Sequence, residues 1–385
     1  MASIERISVT VFQTTAKTEV DNAGHRHPSA EHDVTAATLT IVDSDGVSGS
    51  CLVRPQWVSE SVLTTYLRPA LLGRDPLERE RLWHVIAHRQ RGSGGLLTDR
   101  ALGYVDQALW DLAGQRAGMP VWVLLGGARP SIPAYASTMC GDEIPGGLAT
   151  PADYAAFCEQ LVDAGYRGIK LHTWMPPVPG APDPGQDIAA CVAARDAVGP
   201  DIDLMLDANH WYRRVEALRL GRALDEAGYA WYEEPMEEAS LQSYRWLADQ
   251  LAVPVIGPET SWGKHFSRAE WLVAGACDIL RAGVDDVGGI TPTMKIVHLA
   301  EAFNVDCEIH GGGSGNLSVL GATTCGRWYE RGLLHPHVDY NEVPPHLNSL
   351  VDAIDKNGDV ALPIRPGLGD DLDLDYIAQH TVAAW

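Results

Sequence analysis

The sequence predicts an α/β protein, a β/α barrel preceded by an α+β module. Three observations carry this reading. From about residue 130 short β-rich runs alternate with helical segments, the first hundred residues have a different strand-and-helix character, and acidic residues recur at the ends of successive runs. Alternation of strand and helix is the pattern of a parallel sheet with helices outside, and eight strands suffice to close it into a barrel.

In chain order, 4–14 and 36–42 read as strands with a turn at 43–46, and 104–118 reads as a helix that Gly-Met-Pro stops. The expected barrel strands are 131–138, 167–174, 202–209, 230–235, 253–259, 278–283, 306–310 and 328–330. The proline-rich 175–186 is a stiff excursion over one end. After residue 340 the alternation stops, and the turn-rich tail is expected to pack back on the first module. The expected units are a capping module over 1–128, a barrel over 129–339 and a returning segment over 340–385.

With 385 residues and 45% apolar content the chain can bury a large core. A net charge of −22 repels phosphate backbones and anionic lipid, so nucleic acid and membrane are excluded as partners and a small molecule is expected. The seven cysteines are scattered, with no CxxC pair, and read as buried thiols of a reducing cytoplasm. The start lacks a secretory pattern, and no apolar window is long enough to span a bilayer.

Asp207, Glu233 and Glu259 lie 26 residues apart in succession, about one strand-helix unit. That spacing puts them side by side at the carboxyl-terminal rim, where barrel enzymes do their chemistry. Three converging carboxylates need a cation between them, and an all-oxygen set selects a hard ion, Mg²⁺. Asn209 faces the same side, toward the ion or the substrate. Neighbours on a strand point to opposite faces, so the spacing selects Glu233 as the ligand over Glu234. In GIKLHTW, Lys170 and His172 share a strand face and aim two proton-handling groups at the same mouth. The ammonium of Lys170 disfavours a protonated imidazole beside it.

The chain resembles the enolase superfamily, in particular the mandelate racemase subgroup of sugar-acid dehydratases and racemases. The resemblance rests on DQALWDLAGQRAGMPVWVLLGG at 106–127, Lys-x-His at 170–172, the carboxylates, VGGIT at 287–291, His310 and Glu330. It implies a modified TIM barrel, (β/α)7β, with an N-terminal α+β capping domain, and a homo-oligomer. It also implies a mechanism in which the substrate carboxylate binds Mg²⁺, a base removes the α-proton, and the metal stabilises the enediolate; this template is general to the superfamily. The resemblance gives His172 the proton-transfer role, Lys170 a contact to the substrate carboxylate, and Glu330 a hydrogen bond to that carboxylate. It makes His310 the second proton-transfer group and the segment DNAGHRHPSAEH a loop closing over substrate, with His25 and His27 as hydroxyl contacts.

One departure affects the chemistry. Where the subgroup has an aspartate that orients the strand-seven histidine, alignment on the glycines of LRAGVDDVGGI places Gly283. His310 then lacks its partner, and Asp285 or Asp286 compensates only if the loop turns inward. The expected division has His172 as base and His310 as acid, which favours elimination over two-base racemisation. The expected activity is therefore a Mg²⁺-dependent sugar-acid dehydratase. The alternatives are a cycloisomerase, racemase or epimerase using the same enediolate, and a non-catalytic binding relative, which the missing aspartate would favour.

Overall fold

The computed structural model describes residues 2–22 and 24–385. The N-terminal sheet holds β1 (Ile4–Val20), β2 (Arg26–Asp43) and β3 (Ser48–Val53). The barrel strands are β4 (Ser131–Thr138), β5 (Gly168–His172), β6 (Asp203–Asp207), β7 (Trp231–Glu233), β8 (Val255–Gly257), β9 (Ile279–Ala282), β10 (Cys307–Ile309) and β11 (Tyr329–Leu334). Beyond them, β12 (Asp359–Ala361) pairs antiparallel with β4, and β13 (Thr381–Ala384) pairs antiparallel with β1.

The barrel order is β10-β9-β8-β7-β6-β5-β4-β11, with all seven pairings parallel. Each strand rises from an inner layer of bulky groups. Tyr135, Met205, Trp231, Ile256 and Trp328 form a buried floor, with Tyr135 edge-on to Trp231 at 5.5 Å. Above the floor, the alternation that points successive Cβ atoms to opposite faces brings charged groups of β5, β7, β9 and β11 inward. These are Lys170, Glu233, Arg281 and Glu330, each at most 5% exposed. The charged layer above an apolar floor is what positions the site.

The hairpin β1–β2 is longer than the apolar alternation suggests. It pairs out to Val20 opposite Arg26, with a register shift between Ala16 and Thr18, so Arg26, His27 and His32 belong to a strand and not to the expected loop. Between residues 15 and 35 no described residue is buried. Backbone pairing alone extends the hairpin there, which hydropathy cannot reveal.

The helix Asp99–Ala117 carries the first part of the 106–127 segment and bonds to β3, to the tail and to a barrel helix. Gly49 lets β3 approach it, because a Cβ there would sit 2.2 Å from Leu112 N. Asp111 accepts from Ser50 N at 2.8 Å and from Leu368 N at 2.7 Å, tying β3 and the tail to the helix. Asp106 accepts from Thr291 N at 2.8 Å and from the Thr291 hydroxyl at 2.7 Å, which caps the barrel helix Ile290–Phe303. Burial pushes the Asp106 carboxyl up to about 7, although the two Thr291 bonds pull it back. A carboxyl whose folded value is raised contributes its full stability below the unfolded value of about 3.9 and loses it as pH rises through about 7. Asp106→Asn should therefore flatten the stability profile. The parent-minus-variant difference in unfolding free energy should fall by about 2–4 kcal/mol between pH 4 and pH 7.5, read by urea denaturation. A constant offset across that window would mean that Asp106 titrates as an ordinary carboxylate.

Candidate active site

At the carboxyl-terminal rim a cavity of about 220 Å³ lies between the barrel and the hairpin turn. That is below the roughly 300–1,000 Å³ of pockets for drug-sized ligands, so it suits a small molecule. Lys170, His172, Asp207, Asn209, Glu259, His310 and Glu330 line it, and so do His25 and Arg26 from the hairpin.

The carboxylates that converge are Asp207, Glu234 and Glu259, each offering an oxygen within 4.8 Å of the others. Glu234 takes the place expected for Glu233. The register explains why. Asp207 is level with Glu233, but Glu233 is level with Ile256, so Glu259 stands three residues beyond the aligned position. Equal sequence spacing is not equal height. β7 ends at Glu233, and the chain turns left-handed at Glu234 (φ 45°), which releases it from strand alternation. Glu233 lies in the charged layer, with Oε1 2.7 Å from Arg281 Nε and Oε2 3.1 Å from Lys170 Nζ.

All three converging carboxylates are buried, and Glu234 Oε1 has no partner. Burial, then the charges of Glu259 and Asp207, push the Glu234 carboxyl well above its usual range. An all-oxygen, trianionic set in a dry place fits a hard divalent cation such as Mg²⁺, which relieves that repulsion. Neighbouring groups fix the set. His210 Nε2 lies 3.0 Å from Glu234 Oε2, and Glu238 accepts the backbone N–H groups of Glu259, Thr260 (3.0 Å) and Ser261 (2.6 Å).

Lys170 is enclosed by acids, 3.4 Å from Asp207 Oδ2 and 3.0 Å from Glu330 Oε1 in addition to Glu233. Burial opposes its charge, yet Glu233 and Glu330 hold the ammonium above its ordinary value. Glu330 also receives Arg281 Nη2 at 2.7 Å and Gly311 N at 2.8 Å. His172 Nδ1 faces Thr138 O at 2.8 Å, and its Nε2 is 3.0 Å from Asp207 Oδ2.

His310 has the partner that the sequence alignment denied it. Its Nδ1 is 2.6 Å from Asp286 Oδ2, and its Nε2 is 3.0 Å from Glu259 Oε1. The loop does turn inward, because Asp286 N and Val287 N both donate to Gly283 O at 3.1 Å and fold Asp286 back over the strand end. A Cβ at Gly283 would lie 2.6 Å from Asp286 Oδ2 and 2.8 Å from His310 O. Glycine therefore occupies the aligned position because the carboxylate arrives from three residues further on. Asp285 faces away, toward Gln107 Nε2 at 2.9 Å. Burial disfavours the His310 imidazolium, but Glu259 and then Asp286 raise it to about 9.

The remaining candidates separate. His25 lines the cavity, while His27 is not among its lining residues and bonds Asp21 Oδ2 at 3.0 Å. Asn209 lines it too, and its N–H donates to Asp207 Oδ1 at 2.9 Å. Of the tryptophans that follow barrel strands, Trp174 is buried against Tyr154 and Trp211 and Trp262 are exposed, and none of the three lines the cavity. In the glycine-rich segment HGGGSGN at 310–316, Gly311 N donates to Glu330 and Gly313 N to the Tyr329 hydroxyl. The sequence reading missed Arg26, Arg281 and Glu238, whose roles depend on packing that no local pattern marks.

The profile described as "Enolase C-terminal domain-like" matches residues 153–376, and that of the mandelate racemase / muconate lactonizing enzyme N-terminal domain matches 9–126. The chain is 31% identical to arabinonate dehydratase of Saccharolobus solfataricus over 345 residues, covering 88% of this chain and 89% of that protein. It is 30% identical to D-galactarolactone cycloisomerase of Agrobacterium fabrum over 369 residues, covering 91% and 93%. A solved structure of D-glucarate dehydratase from Agrobacterium tumefaciens, complexed with magnesium, superposes with a TM-score of 0.98 at 54% identity and 99% coverage of both chains. With both profiles matched in order along one capped barrel, the chain belongs to the mandelate racemase / muconate lactonizing enzyme branch of the enolase superfamily.

Proposed function

We propose that the protein is a Mg²⁺-dependent sugar-acid dehydratase that removes the α-proton and the β-hydroxyl of its substrate to give a 2-keto-3-deoxy acid and water. The observation that carries this reading is the pair of histidines that line one cavity with two of the three converging carboxylates, His172 Nε2 against Asp207 and His310 Nε2 against Glu259. The dehydratases among the relatives, one of them solved with magnesium, support it. Asp207, Glu234 and Glu259 would hold the ion, which supplies positive charge where the substrate carboxylate gains electron density.

His172 and Lys170 stand on one side of the site. The Nδ1–H of His172 donates to Thr138 O, so Nε2, 3.0 Å from Asp207 Oδ2, is the nitrogen that takes the α-proton. Lys170 supplies a fixed positive charge beside the substrate carboxylate, and Glu330 locks the ammonium in place. On the other side Asp286 stabilises the imidazolium of His310 better than a backbone carbonyl would, so His310 delivers a proton to the departing hydroxyl and water leaves. The enol product then takes a proton at carbon 3 and becomes the ketone. The non-catalytic alternative loses its main support once Asp286 occupies the place of the missing aspartate.

The same reading places the protein in a reducing cytoplasm, since all seven cysteines are free and buried. No helix among the described residues is long and apolar enough to cross a membrane. It also expects a homo-oligomer, in which a second copy covers exposed Trp262 and Phe266.

The test is proton NMR in D₂O with Mg²⁺ and a panel of sugar acids and their lactones. A new methylene signal with loss of the α-proton is expected, and it should vanish in His172→Asn with His310→Asn. Exchange at carbon 2 without a methylene would replace this reading with epimerisation. Lactone opening or rearrangement would favour the cycloisomerase chemistry named for one relative.

A further inference from the structure

We propose that Arg26 binds a second carboxylate, at the far end of the substrate, so that the site selects dicarboxylic sugar acids over monocarboxylic ones. The proposal rests on the dehydratase reading for the near end of the substrate, where the first carboxylate meets the acidic triad.

The evidence is the distribution of charge around the cavity. Five residues lining it are basic. Lys170 is committed to Asp207, Glu233 and Glu330, His172 to Asp207, His310 to Glu259 and Asp286, and His25 to Asp21 at 3.5 Å. Arg26 has no ion pair with any described residue, and its one side-chain bond is from Nη1 to the neutral Thr18 hydroxyl at 2.6 Å. A guanidinium has five N–H donors in a fork that matches a carboxylate, so most of its capacity is uncommitted.

That isolation runs against the whole molecule. The chain has 51 acidic residues against 29 basic ones, yet among the described residues no carboxylate pairs with this half-buried cation, and Arg54 is close enough to disfavour its charge further. A partly buried charge without a counter-charge is costly, and an arriving anion removes that cost. Arg26 is also held in place. It opens β2 opposite Val20, and the hairpin pairs from there down to Ile4, so the side chain springs from a strand and not from a loose loop.

Its surroundings set it apart from the metal end. The groups acting electrostatically on Arg26 are Arg54 and Tyr340, not the triad. The Tyr340 hydroxyl donates at 2.7 Å to Gly332 O, and Gly332 lines the cavity. A substrate with one carboxylate at the triad would project its other end toward this rim. A monoacid has a neutral terminal alcohol there, and a diacid has an anion that the overall negative field would otherwise repel.

The experiment compares binding of paired acids, glucarate with gluconate and galactarate with galactonate. Calorimetry with saturating Mg²⁺ is run on the His172→Asn/His310→Asn protein, so that nothing turns over, with and without Arg26→Gln or Arg26→Lys. At least one diacid should bind about 30-fold or more tighter than its monoacid, the range expected of a charge-assisted bidentate contact. Arg26→Gln should bring the ratio below about 3 by weakening the diacid alone, and Arg26→Lys should fall between. Equal binding of both classes, no binding of either, or a preference that survives Arg26→Gln overturns the proposal. Turnover of the unmutated enzyme is scored separately by NMR. Diacid selectivity lost in Arg26→Gln, without turnover of any acid, would overturn the dehydratase reading and leave the role of Arg26 standing; turnover without selectivity would do the reverse.

Discussion

Glu234→Gln should abolish high-affinity Mg²⁺ binding, and Glu233→Gln should not. Sequence spacing selects Glu233 of the two adjacent glutamates, but the fold sets Glu233 against Arg281 and Lys170 and brings Glu234 to the other carboxylates. Glu234 converges with Asp207 and Glu259 and has a buried oxygen without a partner. Replacing it removes one of three anionic donors, and titration calorimetry should show the Mg²⁺ dissociation constant rising by about 100-fold or more, because a hard cation in a dry site depends on donor charge. Glu233 instead neutralises Lys170 and the fully buried Arg281. Its loss leaves buried cations under-compensated, and stability should drop by about 3–5 kcal/mol while the Mg²⁺ affinity of the folded fraction stays within a few-fold. If Glu233→Gln loses the ion and keeps its stability, the assignment is reversed and the register argument fails with it.

The contrast between these two residues shows how far the sequence is legible. The barrel is readable because its strands alternate with helices and bury apolar groups, a signal that burial itself writes into composition. The site's location is readable as well, since acidic and basic residues at several strand ends have few other reasons to recur. What is hidden is height along the barrel axis. Glu233 and Glu259 differ by 26 in sequence like Asp207 and Glu233, but strand pairing sets Ile256 and not Glu259 level with Glu233. Register comes from backbone hydrogen bonds between neighbours, and no local pattern in either strand records it. The capping hairpin is hidden for a related reason. Its outer half is paired but none of its described residues is fully buried, so the strand carrying Arg26 has no hydropathy signature.

Asp286→Asn should lower kcat by about 10²–10⁴-fold with KM within a few-fold, whereas Asp285→Asn should change neither by more than about 3-fold. The two aspartates are neighbours at the end of β9, and only the first of these changes touches His310. An asparagine at 286 keeps the shape but removes the charge that stabilises the imidazolium, and it can present its amide N–H₂ to Nδ1 and so favour the wrong tautomer. Mg²⁺ affinity serves as the control. It should stay within a few-fold, because Asp286 lies outside the Asp207, Glu234 and Glu259 set. The pair of variants therefore separates a positioning carboxylate from a merely acidic loop, since equal losses at 285 and 286 would mean that the loop acts through its fold alone. Gly283 makes the same point by steric means. A Cβ at that position would lie 2.6 Å from Asp286 Oδ2 and 2.8 Å from His310 O, so an aspartate there would have to displace the carboxylate that already serves His310. The carboxylate has moved three residues along the chain, and the strand end has given up its own side chain to admit it.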